Sequence, residues 1–137
     1  MKFYKIPKLC FRKKHYYSLL TSFLLFMTSL YLFERNQTPL ILQRLLFLVG
    51  VISMIHHCRS FQDDYDDFFR IIDIVFAILL GLCIIYLYPN EKTFLLLILI
   101  CFLFLHVQFQ CKANPKKQSI LHSFIHIIVI IIIFLNL

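Results

Sequence analysis

Five stretches of this chain run almost without charge, at residues 17–33, 40–58, 71–88, 94–109 and 119–137, and short polar connectors separate them. Within each stretch the apolar positions do not alternate with polar ones. A soluble helix keeps one wet face, and these segments have none, so they predict helices solvated by lipid. Each stretch has 16–19 residues. At a rise of about 1.5 Å per residue that is roughly 24–29 Å, enough for one bilayer crossing. With no water to satisfy the backbone, each segment must close its own hydrogen bonds, which predicts helix throughout. The breakers fall between the segments, with Pro39, Pro89 and Pro115 each in a connector. The expectation is an all-α, polytopic membrane helix bundle of about five spans, forming a single transmembrane domain over 1–137.

Composition agrees with this pattern and narrows it. Of 137 residues 61% are hydrophobic, with 16 Phe and only 2 Gly. So few small residues predict helix contacts built on Ser, Cys and large side chains. The five Cys (10, 58, 83, 101 and 111) are odd in number and scattered. They have neither the pairing of a disulfide framework nor the CxxC spacing of a thiolate zinc site. Lys2, Lys5, Lys8, Arg12, Lys13 and Lys14 precede the first span. No small-residue cleavage site follows that span, so it reads as uncleaved and not as a signal peptide.

The net charge of +7 is explained by its distribution. Counted by side, the N-terminal arm and the second and fourth connectors hold eleven Lys and Arg. The other side holds Arg35 and Lys92. The asymmetry predicts a cytosolic N-terminus and a C-terminus on the opposite side. Arg44, inside the second span, can snorkel to the headgroups. The partners implied are the bilayer and its anionic inner-leaflet lipid, with no need for nucleic acid.

Ionisable groups inside spans are costly and mark candidate chemistry. Here they are His56 and His57 at the end of span two, Asp73 early in span three, His106 late in span four, and His122 and His126 early in span five. Given the alternating directions of the spans, all six fall at one depth, in the inner half of the bilayer. His122 and His126 are four apart and share a helix face, about 5–6 Å from one another, which suits chelation of one ion. Ser53 and His57 are four apart in the same way. Three imidazoles plus a water would give the open tetrahedral site of catalytic zinc, and a neighbouring carboxylate could accept the water's proton. His56 is an alternative to His57 if the helix is rotated. His106 reads as an ordinary polar residue of a bundle. The acidic cluster at 63–67 reads as a solvated loop, since it lacks the spacing and Gly of a calcium loop.

The ordered set Ser53-x3-His57, Asp73 and His122-x3-His126 resembles a superfamily of membrane hydrolases. That superfamily includes the alkaline ceramidases, the progestin and adiponectin receptor family and the lipid-remodelling enzymes of GPI-anchored proteins. The resemblance implies Zn2+ held by His57, His122 and His126, with Asp73 as base and Ser53 in support. It also implies a membrane lipid, cleaved at an amide or ester bond, as substrate. It covers residues 50 to 126 and is silent on the first span. Family members usually have seven spans, whereas this chain has five. Loss of one helical hairpin leaves the last span running in the same direction, and a second copy of the chain is one way to complete the cavity. Three other classes share the polar cluster: a haem or electron-transfer bundle, a metal or proton transporter, and a structural accessory protein.

Overall fold

The computed structural model describes residues 16–58, 63–110 and 115–137, with side chains described from 68 to 107 and from 116 onward in the last two stretches. The basic N-terminal arm, Arg59, Lys112, Cys10 and Cys111 lie outside the described residues. Five helices follow in order: α1 (Tyr16–Arg35), α2 (Leu40–Cys58), α3 (Asp63–Leu87), α4 (Glu91–Gln110) and α5 (Pro115–Leu135). There is no strand among the described residues. α1 lies between α2 and α5, α3 packs on the far side of α2, and α4 on the far side of α5; contacts between α3 and α4 are sparse.

α1, α2, α5 and the Phe68–Leu87 stretch of α3 are each long and apolar enough to cross a membrane. α4 carries an uncharged run over 94–109. The surface is apolar, and polar side chains share the interior with apolar ones. Phe33, Leu82, Leu95 and Phe102 are all more than half exposed. Among the described residues 13 polar or charged side chains and 11 hydrophobic ones are buried, a polar share well above what water would select. The chain is therefore an integral membrane protein built as a helical bundle.

Two helix starts differ most from the sequence expectation. α3 begins at Asp63, so the acidic cluster at 63–67 belongs to helix and not to a loop. Acidic residues are favoured at a helix N-terminus, where the macrodipole is positive. α5 begins at Pro115, a residue suited to the first helical position because its missing N–H would have no partner there. Asn36, at φ 50° just past the end of α1, takes the left-handed conformation that ends many helices, one that Asn tolerates better than most residues. Asn90 caps α4 by accepting the Thr93 N–H on Oδ1 at 2.9 Å.

α1 and α2 form the tightest pair, along complementary seams. α1 buries Ser18, Thr21, Ser22, Leu25, Ser29 and Leu32; α2 buries Leu42, Gln43, Leu46, Val49, Gly50, Ser53 and His57. Each set recurs every three or four residues and so lines one face. At the hairpin end Gln43 donates through Nε2 to the Thr38 carbonyl at 2.8 Å and the Leu32 carbonyl at 3.3 Å. Halfway along, Gly50 permits the closest approach: a Cβ there would lie 2.8 Å from the Phe26 nitrogen and 2.9 Å from its Cα. Both are backbone atoms and cannot swing aside. The expectation that contacts would rest on Ser, Cys and large side chains thus needs correction. Ser pairs are present, but a glycine sets this approach, while Cys101 is exposed and Cys58 and Cys83 are half-buried.

Gly50→Val is expected to lower stability in detergent by about 1–3 kcal/mol, the usual cost of overpacking. That exceeds the gain of up to about 1 kcal/mol from removing a helical glycine. A denaturant or thermal midpoint equal to wild type would contradict the close approach.

Candidate metal and polar centre

At one end of the bundle the C-terminal turns of α2 meet the first turns of α1 and α5 and an early turn of the α3 span. This is where the chemistry-bearing residues gather. α2 runs toward this end and delivers Ser53, His56 and His57 in its last turns, while α5 starts here and delivers His122 and His126. Ring centres of His122 and His126 are 4.7 Å apart, those of His57 and His122 are 5.1 Å apart, and those of His57 and His126 are 6.4 Å apart. Two imidazoles on one tetrahedral ion, with metal–nitrogen distances near 2.0–2.1 Å, hold their ring centres about 5 Å apart. Two of the three separations meet that value and the third is longer by more than 1 Å. The pairs that share His122 have the ring spacing of ligands to one ion, whereas His57 and His126 would have to move closer to join them.

His56 belongs to the same cluster. Its ring centre is 4.8 Å from that of His57, and one donor atom from each of His56, His57 and Asp73 lies within 4.8 Å of the others. That spacing is looser than the roughly 3.3 Å between donors sharing a tetrahedral ion at such bond lengths. His57 is buried and touches both α5 histidines, whereas His56 is half-buried. His57 is the imidazole the ring contacts tie to α5, and both His56 and His57 lie near Asp73.

Asp73 is buried, 7% exposed, and its carboxyl is hydrogen-bonded by the Ser53 side chain. Ser53, fully buried, receives in turn the Ser22 hydroxyl at 2.9 Å. Ser22 shares its single proton with the Ser18 carbonyl at 2.7 Å. A line of polar groups therefore runs from α1 through α2 to the carboxylate on α3. α1 also reaches α5 directly: Thr21 Oγ1 lies 2.9 Å from His126 Nδ1. The Ser18 hydroxyl is 3.0 Å from that of Ser119.

The structure thus brings together every site residue expected from the sequence: Ser53, His57, Asp73, His122 and His126. His106 stays apart; among the described residues it has no hydrogen bond or ring contact, and it is half-buried on α4. What sequence reasoning missed is α1. Ser18, Thr21 and Ser22 sit at i, i+3 and i+4, so they line one face of the first turns of the span. That spacing was a usable signal, although hydroxyls are common in membrane helices and seldom mark a site.

Away from this end the interior turns apolar. Leu25, Leu32, Leu42, Leu46, Leu80, Ile84, Ile132 and Ile133 form one buried cluster. A hollow of about 440 Å3 at the opposite end is lined by Asn90, Lys92, Thr93 and Asn136 among others. Asn136 is ten residues from His126, about 15 Å of helix. The lining of the hollow includes the Glu91 carboxylate but no imidazole or thiol. No family model, curated protein or solved structure matches this chain, so the chemistry of the cluster has to come from its own residues.

Proposed function

We propose that this protein is a zinc-dependent membrane hydrolase, cleaving an amide or ester bond of a lipid. One observation carries the reading. Three imidazoles from two helices stand 4.7–6.4 Å apart, and a buried carboxylate on a third helix lies beside them. The same ordered residues support the resemblance to the ceramidase and adiponectin-receptor type superfamily.

In this reading His57, His122 and His126 hold Zn2+. The ion would polarise the scissile carbonyl and make a water acidic enough to attack near neutral pH. Asp73 accepts the proton released as the water oxygen bonds to the carbonyl carbon. It then returns that proton to the leaving nitrogen or oxygen as the carbon–heteroatom bond breaks. Ser53, backed by Ser22, keeps the carboxylate oriented for both transfers. A centre buried at one end of a lipid-exposed bundle suits a substrate that arrives from the membrane. The distribution of Lys and Arg puts that end at the cytosolic leaflet, with the N-terminus inside and the C-terminus opposite.

Two rivals fit less well. A haem between two of these rings would have to displace the third, since His122 packs at 5.1 and 4.7 Å from the other two. A transporter needs a continuous polar path, but a buried cluster of Leu, Ile and Val stands between the site and the buried Gln43 and Thr38 at the hairpin end.

Purified protein in detergent is expected to carry about one zinc per chain by mass spectrometry. It should also release fatty acid from a panel of lipid amides and esters in a chelator-sensitive way. Metal-free, well-folded protein that cannot be reloaded with zinc would refute the reading. A terminal tag protected on the wrong side of sealed vesicles would refute the orientation.

A further inference from the structure

We propose that Thr21 is a positioning residue that holds His126 in the tautomer carrying its proton on Nδ1, leaving Nε2 as the ring's electron-pair donor. The consequence for metal binding rests on the zinc reading above, but the tautomer itself does not. The argument is a count of protons. Thr21 Oγ1 lies 3.1 Å from the Tyr17 carbonyl and 3.2 Å from the Ser18 carbonyl, and 2.9 Å from His126 Nδ1. Carbonyl oxygens only accept, and a hydroxyl has one proton to give.

If Nδ1 were bare, three acceptors would surround that one proton, and the hydroxyl would lose its carbonyl bonds to serve the imidazole. If Nδ1 carries the proton, His126 donates to Thr21 Oγ1 and the hydroxyl donates onward to the carbonyls of its own helix. The junction then holds two hydrogen bonds, ring to hydroxyl and hydroxyl to carbonyl, where a bare Nδ1 allows one. Both side chains are buried, at 6% exposed, where no water competes for these bonds and each is strengthened. The arrangement is a relay from ring to hydroxyl to backbone. It does what a carboxylate or carbonyl commonly does behind a ligating imidazole: it fixes which nitrogen bonds the metal and how the ring is turned. It also gives α1, which supplies none of the proposed ligands, a direct hold on one of them.

The test uses full-length protein in detergent with 15N-labelled histidine, the His126 signal being identified by its loss in His126→Gln. In metal-free protein, at a pH where the ring is neutral, His126 is expected to show protonated Nδ1. Thr21→Val, nearly the same in shape, is expected to move the ring to a mixture or to the Nε2–H form. It should also weaken zinc binding about 10–100-fold, the usual cost of losing such a partner. Thr21→Ser should restore both, which a packing role for the methyl group alone would not produce. A proton on Nε2 in the wild type, or a tautomer unchanged in Thr21→Val, would overturn the proposal. A Thr21-dependent tautomer in wild-type protein that binds no zinc would uphold the positioning role and overturn the hydrolase reading instead.

Discussion

His57→Ala is expected to weaken zinc binding by more than about 100-fold, while His56→Ala changes it only a few-fold. On the proposed assignment a direct ligand is removed, so the first effect should exceed the 10–100-fold typical of outer partners. Two adjacent residues on a helix are turned about 100° from one another and cannot both face α5. His57 faces it, with ring centres 5.1 and 6.4 Å from His122 and His126. His56 touches His57 and shares with it the neighbourhood of Asp73. Competition with a chromophoric chelator gives the affinities, and a thermal melt of each variant separates loss of metal from loss of fold. His57→Gln guards against the cavity an alanine would leave. If His56→Ala proved the more damaging, α2 would be rotated in the metal-bound protein and the ligand assignment would pass to His56. If neither variant lost zinc, the metal would lie elsewhere.

The spans were legible because lipid removes the need for a wet face, so each helix reads as an unbroken apolar run. Their ends were less legible. The cluster at 63–67 looked like a loop because four aspartates suggest solvent, yet the same charges are welcome where a helix begins. The candidate site was legible because ionisable residues inside spans are few, and alternating directions bring His57, Asp73, His122 and His126 to one depth. The choice between His56 and His57 was not, since sequence carries no rotation angle for α2. Nor was the part played by α1. Thr21 and Ser22 act through partners 105 and 31 residues away, and such pairings depend on which helices become neighbours. Gly50 illustrates the same limit: its worth lies in the Phe26 backbone on another helix, and no local pattern around it says so.

Asp73→Asn carries the second large effect, and it separates two roles that the geometry places side by side. As proton acceptor, Asp73 should contribute about 10²–10⁴-fold to turnover, the usual range for a positioned acid or base. Asn is isosteric and keeps a carbonyl oxygen for the Ser53 hydroxyl, so the polar line from Ser22 can persist. Zinc content should therefore stay near one per chain while lipid hydrolysis falls by two orders of magnitude or more. A ligand role predicts a different result. Asp73 has a donor atom within 4.8 Å of those of His56 and His57, and if it bound the ion, Asn would release metal and activity together. Ser53→Ala sharpens the distinction, since it leaves the carboxylate charged but removes its nearest donor. A drop in kcat at unchanged zinc affinity is expected there, smaller than that of Asp73→Asn, because positioning is lost and the base is kept. Hydrolysis at the wild-type rate in Asp73→Asn would end the general-base mechanism, whatever the metal content proved to be.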